Sequence, residues 1–297
     1  MRWLMNQGYP LMVITALTWS GNAVVGRGVA ELVPPIGLAF WRWAIALPIF
    51  IAIAWPYLRR DLPVALANLP ILVFLSVISV SVYNTFVYIG LNTTFAVNAM
   101  LIHTGRPVVI VLLSYLIYRR KISALQGIGL VTGLLGTAAI ILRGEWNLLA
   151  GISLNQGDLW IAAASFGWAL YTVFLHKRPQ IHQASMMAFA VVIGLAILLP
   201  FYLWEAFLVR AVPMAPVSFW SIGYLAVICT VVAYLTYNRT VELLGANRAG
   251  LTSYLVLLFG AILAIIFLGE ELAAYHGVGG ALILAGTYLA TRQKQKN

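Results

Sequence analysis

The sequence predicts an all-α polytopic membrane protein of ten transmembrane helices, arranged as two inverted five-helix repeats. Three observations lead to this prediction. Hydrophobic residues make up 62% of the 297 residues and charged residues only 9%, whereas soluble domains carry about 25% charged residues. The apolar residues form ten runs of about 20 residues, long enough to cross a bilayer as helices. The second half of the chain also repeats the first at a fixed offset.

Short polar connections separate the ten apolar runs. Pro10, Pro35, Pro70 and Pro216 lie at the start of four of them, where a missing N–H costs no helical hydrogen bond. We expect the first run to be a retained helix, because it is long and no A-x-A cleavage pattern follows it. The runs cover 10–31, 36–58, 69–91, 96–118, 122–142, 158–176, 184–204, 217–239, 247–268 and 272–291.

The internal repeat is seen when the chain is shifted by 150 residues. Three glycines of the fifth run, Gly127, Gly129 and Gly136, then coincide with Gly277, Gly279 and Gly286 of the tenth. Because each unit holds an odd number of helices, the second unit enters the membrane in the opposite orientation. The expected organisation is a first repeat over 9–143, a linker over 144–157 and a second repeat over 158–292.

The net charge of +10 indicates membrane orientation rather than a nucleic-acid partner, because the cations cluster in short loops between apolar runs. With both termini in the cytoplasm, only Arg143 and Arg210 fall on the opposite side. The cytoplasmic side then holds 13 of the 18 cations, namely Arg2, Arg59, Arg60, Arg119, Arg120, Lys121, Lys177, Arg178, Arg239, Arg248, Arg292, Lys294 and Lys296.

The chain has a single cysteine, Cys229, which excludes an intrachain disulfide.

Several short motifs together resemble the EamA-domain drug/metabolite transporters, and most closely the bacterial amino-acid exporters of the YddG kind. The resemblance implies ten helices in two five-helix units and a multi-pass location in the cytoplasmic (inner) membrane of a bacterium. One departure is the basic run of residues 119–121, where the family often has a glutamate. The motifs are Thr18-Trp19-Ser20-Gly21-Asn22, Arg42-Trp43, Pro107, Leu268-Gly269-Glu270-Glu271 and Gly277-Val278-Gly279.

Polar and aromatic side chains of the first and sixth runs correspond at an offset of 149. Trp19 corresponds to Trp168 and Asn22 to Tyr171, and each run places its two residues three apart, on one helix face. Polar side chains inside a membrane indicate a function. We expect these four to line a midplane cavity and bind substrate; ordinary helix packing is the alternative.

The third and fourth runs bring a second polar group to one depth, because a short connection joins them. Tyr83 and Asn84 should lie level with His103 and Arg106. Pro107 leaves the His103 carbonyl without its helical partner and predicts a kink. Interrupted helices line substrate cavities in many transporters, so Tyr83, Asn84 and His103 are further binding candidates. A structural kink, with His103 bonded to a neighbouring helix, is the alternative.

Arginines and tyrosines supply the remaining candidates. Arg42 and Arg106 could hold a substrate carboxylate by charge-assisted hydrogen bonds, or extend to lipid head groups. The second repeat places Tyr234, Asn238 and Tyr254 where symmetry suggests a gate, although tyrosine is also common at membrane interfaces. The Gly129-x-x-x-Gly133 pair indicates helix packing.

The distribution of acids bears on the mode of transport. All eight lie at helix ends or in connections, so no carboxylate is available at mid-membrane to bind a cationic drug or carry a proton. Only His103 could carry a proton within a helix. The sequence has no phosphate-binding loop, and we expect no cofactor and no metal.

We therefore expect no enzyme activity, but a secondary transporter that exports amino acids (neutral ones, aromatic ones included) or similar small metabolites by alternating access. The expected partners are a small-molecule substrate and the lipid bilayer, and the oligomeric state stays open. The alternatives are an exporter of other metabolites or of drugs, a channel, or a membrane-embedded enzyme, which would need clustered catalytic groups that no motif provides.

Overall fold

The computed structural model describes residues 4–29, 32–94, 96–119, 121–145, 147, 155–268 and 273–291. Within these ranges the chain is helical and contains no strand. Seven of the described helices are long and apolar enough to cross a membrane, and shorter apolar helices accompany them. Three motif residues, Gly269, Glu270 and Glu271, lie outside the described part of the chain, as do both ends and most of the expected linker.

Short connections join the helices within each half of the chain. Those of the first half are α1 Gly8–Gly28, α2 Pro35–Ala67, α3 Leu69–Thr93, α4 Ala96–Thr104, α5 Arg106–Tyr118 and α6 Ala124–Ile141. Those of the second half are α7 Gln156–Lys177, α8 Gln183–Val209, α9 Pro216–Leu244, α10 Ala246–Gly250, α11 Thr252–Leu268 and α12 Ala274–Thr291.

Two of these helices start with a capping box. Ser123 accepts a hydrogen bond from the backbone N–H of Gln126, whose side chain in turn accepts from the Ser123 N–H. Asn155 and Asp158 do the same at the start of α7. Each box satisfies two backbone donors that the first helical turn leaves without partners.

Helix α2 is longer than the apolar run that predicts it. It continues from residue 58 to Ala67, with Pro48, Pro56 and Pro63 inside it. The added turns carry Arg60, whose side chain is 71% exposed. The hydrophobic run therefore marks the part of the helix that the bilayer requires, while polar residues continue the same helix beyond it.

Helices α2 and α8 are antiparallel neighbours that cap each other. Near the end of α2, Asp61 accepts a hydrogen bond from the His182 N–H at the start of α8 (3.0 Å). Near the end of α8, Glu205 accepts from the N–H groups of Ile36 (3.1 Å) and Gly37 (2.6 Å) at the start of α2. A carboxylate at a helix N-terminus satisfies free N–H groups and opposes the positive end of the helix dipole.

Three of the described helices contain a widened turn of π-helix. One of these turns, Glu205–Val209, ends α8. The other two, Val77–Val82 in α3 and Val227–Val232 in α9, start 150 residues apart. A π turn replaces i+4 with i+5 hydrogen bonds and often occurs at functional sites. In this structure the turns of α3 and α9 adjoin the polar centre of the molecule.

Glycines allow α6 and α12 to pack backbone against backbone. A Cβ atom on Gly136 would lie 2.7 Å from the carbonyl oxygen of Gly279, and a Cβ on Gly279 would lie 2.7 Å from that of Gly136. Gly129 and Gly286 face each other in the same way, at 2.6 and 2.7 Å. Small residues at such positions let helices approach closely in a membrane.

Candidate substrate site

Arg42 lies at the centre of the helical bundle, where four hydrogen-bond partners from three other helices surround its guanidinium group. Its Nη1 donates to the side-chain oxygens of Asn22 (3.1 Å), Asn84 (3.0 Å) and Tyr88 (2.6 Å). Its Nε and Nη2 both donate to the hydroxyl oxygen of Thr230, at 2.9 and 2.7 Å. The side chain is only 1% exposed, so it does not extend to lipid head groups.

A backbone carbonyl from the π turn of α9 completes the surroundings of Arg42. Its Nη2 donates to the carbonyl oxygen of Cys229 at 3.2 Å. The indole N–H of Trp19 donates to the same oxygen at 3.3 Å. The π turn thus presents a carbonyl and the Thr230 hydroxyl to one guanidinium group.

Aromatic rings pack beside this polar centre. Trp168 of α7 has its ring centroid 5.1 Å from that of Trp19, 4.6 Å from Tyr83, 5.6 Å from Tyr234 and 5.2 Å from Tyr237. We call these five residues the aromatic cage. Ring pairs at such distances attract each other through their quadrupoles as well as by burial.

A second cationic cluster borders the cage at the junction of α4 and α5. The guanidinium carbon of Arg106 lies 5.1 Å from the centroid of the Tyr83 ring, a cation–π geometry. Its Nε donates to the Ser165 hydroxyl at 3.2 Å, and its Nη2 contacts His103 Nδ1. Because a guanidinium group has no acceptor, Nδ1 must accept that bond. The same ring nitrogen lies 2.9 Å from Ser165 Oγ.

The fourth apolar run is interrupted close to this cluster. Helix α4 ends at Thr104, Gly105 adopts a turn, and α5 begins at Arg106 with Pro107 in its first turn. Proline is well suited to that position because its N–H would lack a helical partner. The interruption brings His103 and Arg106 to the same junction.

The candidates of the second repeat fall into two places. Tyr234 lies in the cage and donates to the Ser79 carbonyl oxygen at 3.1 Å. Asn238 accepts a hydrogen bond from the Tyr171 hydroxyl at 2.8 Å. Tyr254 lies apart from them, where its hydroxyl donates to the Leu130 carbonyl oxygen (3.0 Å) on α6.

The structure brings together eleven of the thirteen residues that the sequence singles out, either around Arg42 or around the cage. Tyr171 and Asn238 adjoin the cage through Trp168, whose ring lies 5.1 Å from that of Tyr171. Tyr254 is separate, and Pro107 acts through the backbone. Sequence reasoning missed Tyr88, Thr230, Tyr237 and Ser165, all of which contribute polar atoms to the site. Thr230 and Tyr237 could have been found, because each is a polar side chain within an apolar run, as Tyr234 is.

The sequence of the chain matches that of a known family of membrane proteins. The sequence model described as the EamA-like transporter family matches residues 6–142 and, separately, residues 155–292. The chain belongs to the EamA-like transporter family. It is a multi-pass membrane transporter of the EamA type.

Individual relatives agree with this EamA assignment. An uncharacterized transporter of Archaeoglobus fulgidus is 28% identical over 96% of this chain and 98% of its own length. A protein of Salmonella typhimurium named a probable amino-acid metabolite efflux pump is 24% identical over 94% of this chain and 93% of its own. One solved crystal structure superposes with a TM-score of 0.78 at 19% identity, over 95% of this chain and 96% of the other, which shows a shared fold.

Proposed function

We propose that this EamA protein is a secondary transporter that exports amino acids, neutral and aromatic ones included, or similar small metabolites across the cytoplasmic membrane by alternating access. The observation that carries the proposal is the buried Arg42 beside the aromatic cage. A guanidinium group suits a carboxylate, and aromatic rings suit an apolar or aromatic side chain. The name of the Salmonella relative supports the same substrate class.

The proposed architecture is ten membrane spans in two inverted repeats, with α4 and α5 forming one interrupted span and α10 and α11 another. Two separate matches to the family model and the 150-residue spacing of the π turns in α3 and α9 support it. Inverted repeats commonly place the substrate site at their interface near the bilayer midplane, and Arg42 contacts residues from both halves.

We propose cytoplasmic N- and C-termini, in accordance with the distribution of cations in the loops. In this orientation the repeat interface can open towards either side by a rocking motion of the two units. Within that interface, Trp19, Asn22, Tyr83, Asn84, His103, Trp168 and Tyr171 are the proposed substrate contacts, and Arg42 and Arg106 the proposed carboxylate contacts.

Tyr234 and Asn238 are the proposed gate. Both are buried, and each bonds a helix other than its own, Tyr234 to α3 and Asn238 to α7. Opening the repeat interface would break these bonds and expose the cage. We assign Tyr254 to packing between α11 and α6, because its ring contacts Gly133 and its hydroxyl bonds Leu130.

The experiment is solute counterflow with purified protein in liposomes that contain one unlabelled amino acid. We expect saturable uptake of the labelled amino acid, because a carrier exchanges substrate across its two orientations. Unlabelled neutral amino acids should compete better than quaternary-ammonium drugs, since the described site has no carboxylate to hold a cation. A large ohmic current without saturation would indicate a channel, chemical conversion an enzyme, and preferential competition by the drugs a drug exporter.

A further inference from the structure

The charged side chains at the site are both positive, and no carboxylate of the described chain pairs with them. Arg42 and Arg106 are both buried, and neither takes part in an ion pair within the described chain, whose ion pairs are Arg60–Asp61, Arg178–Glu242 and Arg239–Glu242. A buried cation that lacks a counterion is unfavourable in a low-dielectric medium. The surroundings of both arginines therefore favour an anion.

The described acids are held elsewhere. Two of them, Asp61 and Glu205, cap the starts of α8 and α2, and Asp158 caps α7. Glu242 is paired with arginines at the end of α9, and Glu145 is exposed. None of these carboxylates bonds to a residue of the cage, so the cage offers no anionic partner to a substrate ammonium group.

The guanidinium group of Arg42 is arranged to exchange a neutral acceptor for a carboxylate. Its Nε and Nη2 converge on a single oxygen, that of Thr230, in the place where a carboxylate binds with two parallel hydrogen bonds. Its Nη1 has two protons but three acceptors within 3.1 Å, from Asn22, Asn84 and Tyr88. Losing one acceptor therefore leaves no proton unsatisfied.

A second donor beside Arg42 is without a partner. The indole N–H of Trp43 is buried and meets no hydrogen-bond acceptor among the described residues. The ring lies 5.8 Å from the guanidinium carbon of Arg42 and 4.9 Å from the ring of Tyr234. A buried donor without an acceptor is costly, and a ligand that brings acceptor oxygens would relieve it.

We propose that the cargo is an organic carboxylate that carries a net negative charge, and that the membrane potential drives its export. The site binds the carboxylate through Arg42 and has no group that binds an α-ammonium group. This inference rests on the proposed function and narrows it, from amino acids and similar metabolites to acids whose amino group is missing or acylated.

The potential acts on the cargo alone. After one transport cycle the protein returns to its starting state, so the movements of its own charges cancel and the cargo's single negative charge is the net charge moved. An inside-negative potential then favours exit by about 50-fold for each 100 mV. This drive needs no proton-carrying carboxylate, in agreement with the absence of one from the described site.

A matched set of three compounds with the same benzyl group tests the inference. 3-Phenyllactate has a carboxylate and no amine, L-phenylalanine has both, and L-phenylalaninamide has an amine and no carboxylate. We expect 3-phenyllactate to raise the Tm of the purified protein at least as much as phenylalanine does. The amide should bind at least about tenfold more weakly, since it loses charge-assisted hydrogen bonds. Equal or tighter binding of the amide, or no binding of 3-phenyllactate, would overturn the inference.

The second arm measures uptake of labelled 3-phenyllactate into proteoliposomes under a potassium diffusion potential. An inside-positive potential should accelerate uptake and an inside-negative one should slow it. Uptake that does not respond to the potential would contradict the electrical part of the proposal. If phenylalanine exchanges while 3-phenyllactate is excluded, the inference fails and the proposed function stands. If 3-phenyllactate binds but nothing is transported, the proposed function fails and the carboxylate specificity stands.

The variant Arg42→Lys tests whether carboxylate binding needs the planar guanidinium group or only its positive charge. Lysine keeps the positive charge but cannot form two parallel hydrogen bonds, so the affinity for 3-phenyllactate should fall about tenfold while the amide is unaffected. Arg59→Lys, at an exposed position of α2, is the matched control and should bind as the unmodified protein does. An unchanged affinity in folded Arg42→Lys protein would show that the carboxylate binds elsewhere.

Discussion

Asn84 donates a hydrogen bond from its side-chain nitrogen to the hydroxyl oxygen of Tyr234 (3.3 Å), a residue 150 positions further along the chain. That separation equals the offset at which the glycines of the two halves coincide. In a molecule with two inverted repeats, equivalent residues meet only near the pseudo-two-fold axis. The proposed inverted-repeat architecture therefore has its axis close to this pair and close to Arg42, whose Nη1 donates to the oxygen of the Asn84 amide.

The backbone contacts between α6 and α12 predict which glycines do not tolerate a methyl group. Gly129→Ala, Gly136→Ala, Gly279→Ala and Gly286→Ala should each lower stability, because the new Cβ would overlap the backbone of the facing helix; overpacking typically costs about 1–3 kcal/mol. Thermal unfolding in detergent measures the effect.

The repeat supplies its own matched controls for these four variants. Gly127 and Gly277 are equivalent by the same offset, but a Cβ on Gly127 meets only a side-chain atom of Ile122 at 3.8 Å, and one on Gly277 meets nothing within 4 Å. Gly127→Ala and Gly277→Ala should be neutral or stabilising, by up to about 1 kcal/mol. Equal losses at all six positions would contradict the packing described for α6 and α12.

The orientation can be checked by cysteine accessibility in a Cys229→Ser background. Cysteines introduced at Gln183 and Gln293 should react with an impermeant thiol reagent from the cytoplasmic side only, and a cysteine at Asn147 from the opposite side only. Reaction of Asn147 and Gln293 from the same face would refute the proposed topology.

His103 and Pro107 should affect transport more than folding. His103→Ala removes the ring that contacts Arg106 and Ser165, so transport per folded molecule should fall several-fold. The abundance of folded protein should change little, since interhelical hydrogen bonds in membranes contribute about 0.6 kcal/mol on average. Pro107→Ala restores a backbone donor at the junction of α4 and α5 and should lower turnover by stiffening it.

The ratio of transport to folded protein is the quantity to measure for both variants. If His103→Ala mainly reduces folded protein while the remaining molecules transport normally, the His103 contacts are structural. Normal ratios for both variants would remove the junction from the mechanism.

The connection before α8 should make stability depend on pH. The His182 ring is half-buried, stacks on Tyr57 (4.0 Å between centroids) and accepts a hydrogen bond from the Ala184 N–H. Burial, the largest cause, lowers the pKa of His182; Arg60 lowers it further, and Asp61 opposes both. The unfolded chain therefore binds the proton more tightly than the folded protein does.

The sign of the pH effect follows from that difference. The contribution of His182 is fully present above its unfolded pKa of about 6.5 and is lost as the pH falls through the lower, folded pKa. We expect the Tm to fall on acidification from pH 7 to pH 5, and to fall less in His182→Asn, which keeps a capping acceptor but has no titratable group. An identical pH dependence in both proteins would show that other groups cause it.

The membrane-spanning helices could be predicted from the sequence because a bilayer demands long apolar runs, as α3 and α9 illustrate. The partners of each residue could not. Lipid and protein interior are both apolar, so the hydrophobic pattern does not show which face of a membrane helix points inward. Arg42 was therefore predicted either as a carboxylate contact or as a side chain reaching the head groups, and only the fold shows its burial.

Local geometry accounts for other residues that the sequence did not reveal. Thr230 reaches Arg42 from a π turn, and no residue type specifies such a turn. Tyr254 and Tyr234 look alike in the sequence, because both are tyrosines of the second repeat. In the structure, however, the Tyr254 ring packs against Gly133 of α6, where a glycine leaves room for it. The junction at Gly105 was easier to anticipate, because Pro107 disfavours a continuous helix.

The most direct test of the central claim compares counterflow by the unmodified protein and by Arg42→Lys in matched proteoliposomes. The substrates are L-phenylalanine and 3-phenyllactate, which share the carboxylate and differ in the amino group. We predict saturable exchange by the unmodified protein. In the variant, the exchange rate per folded molecule should fall at least tenfold, because lysine cannot form two parallel hydrogen bonds with the carboxylate. Exchange of equal rate and affinity in both proteins would show that Arg42 is not the carboxylate site and would contradict the account.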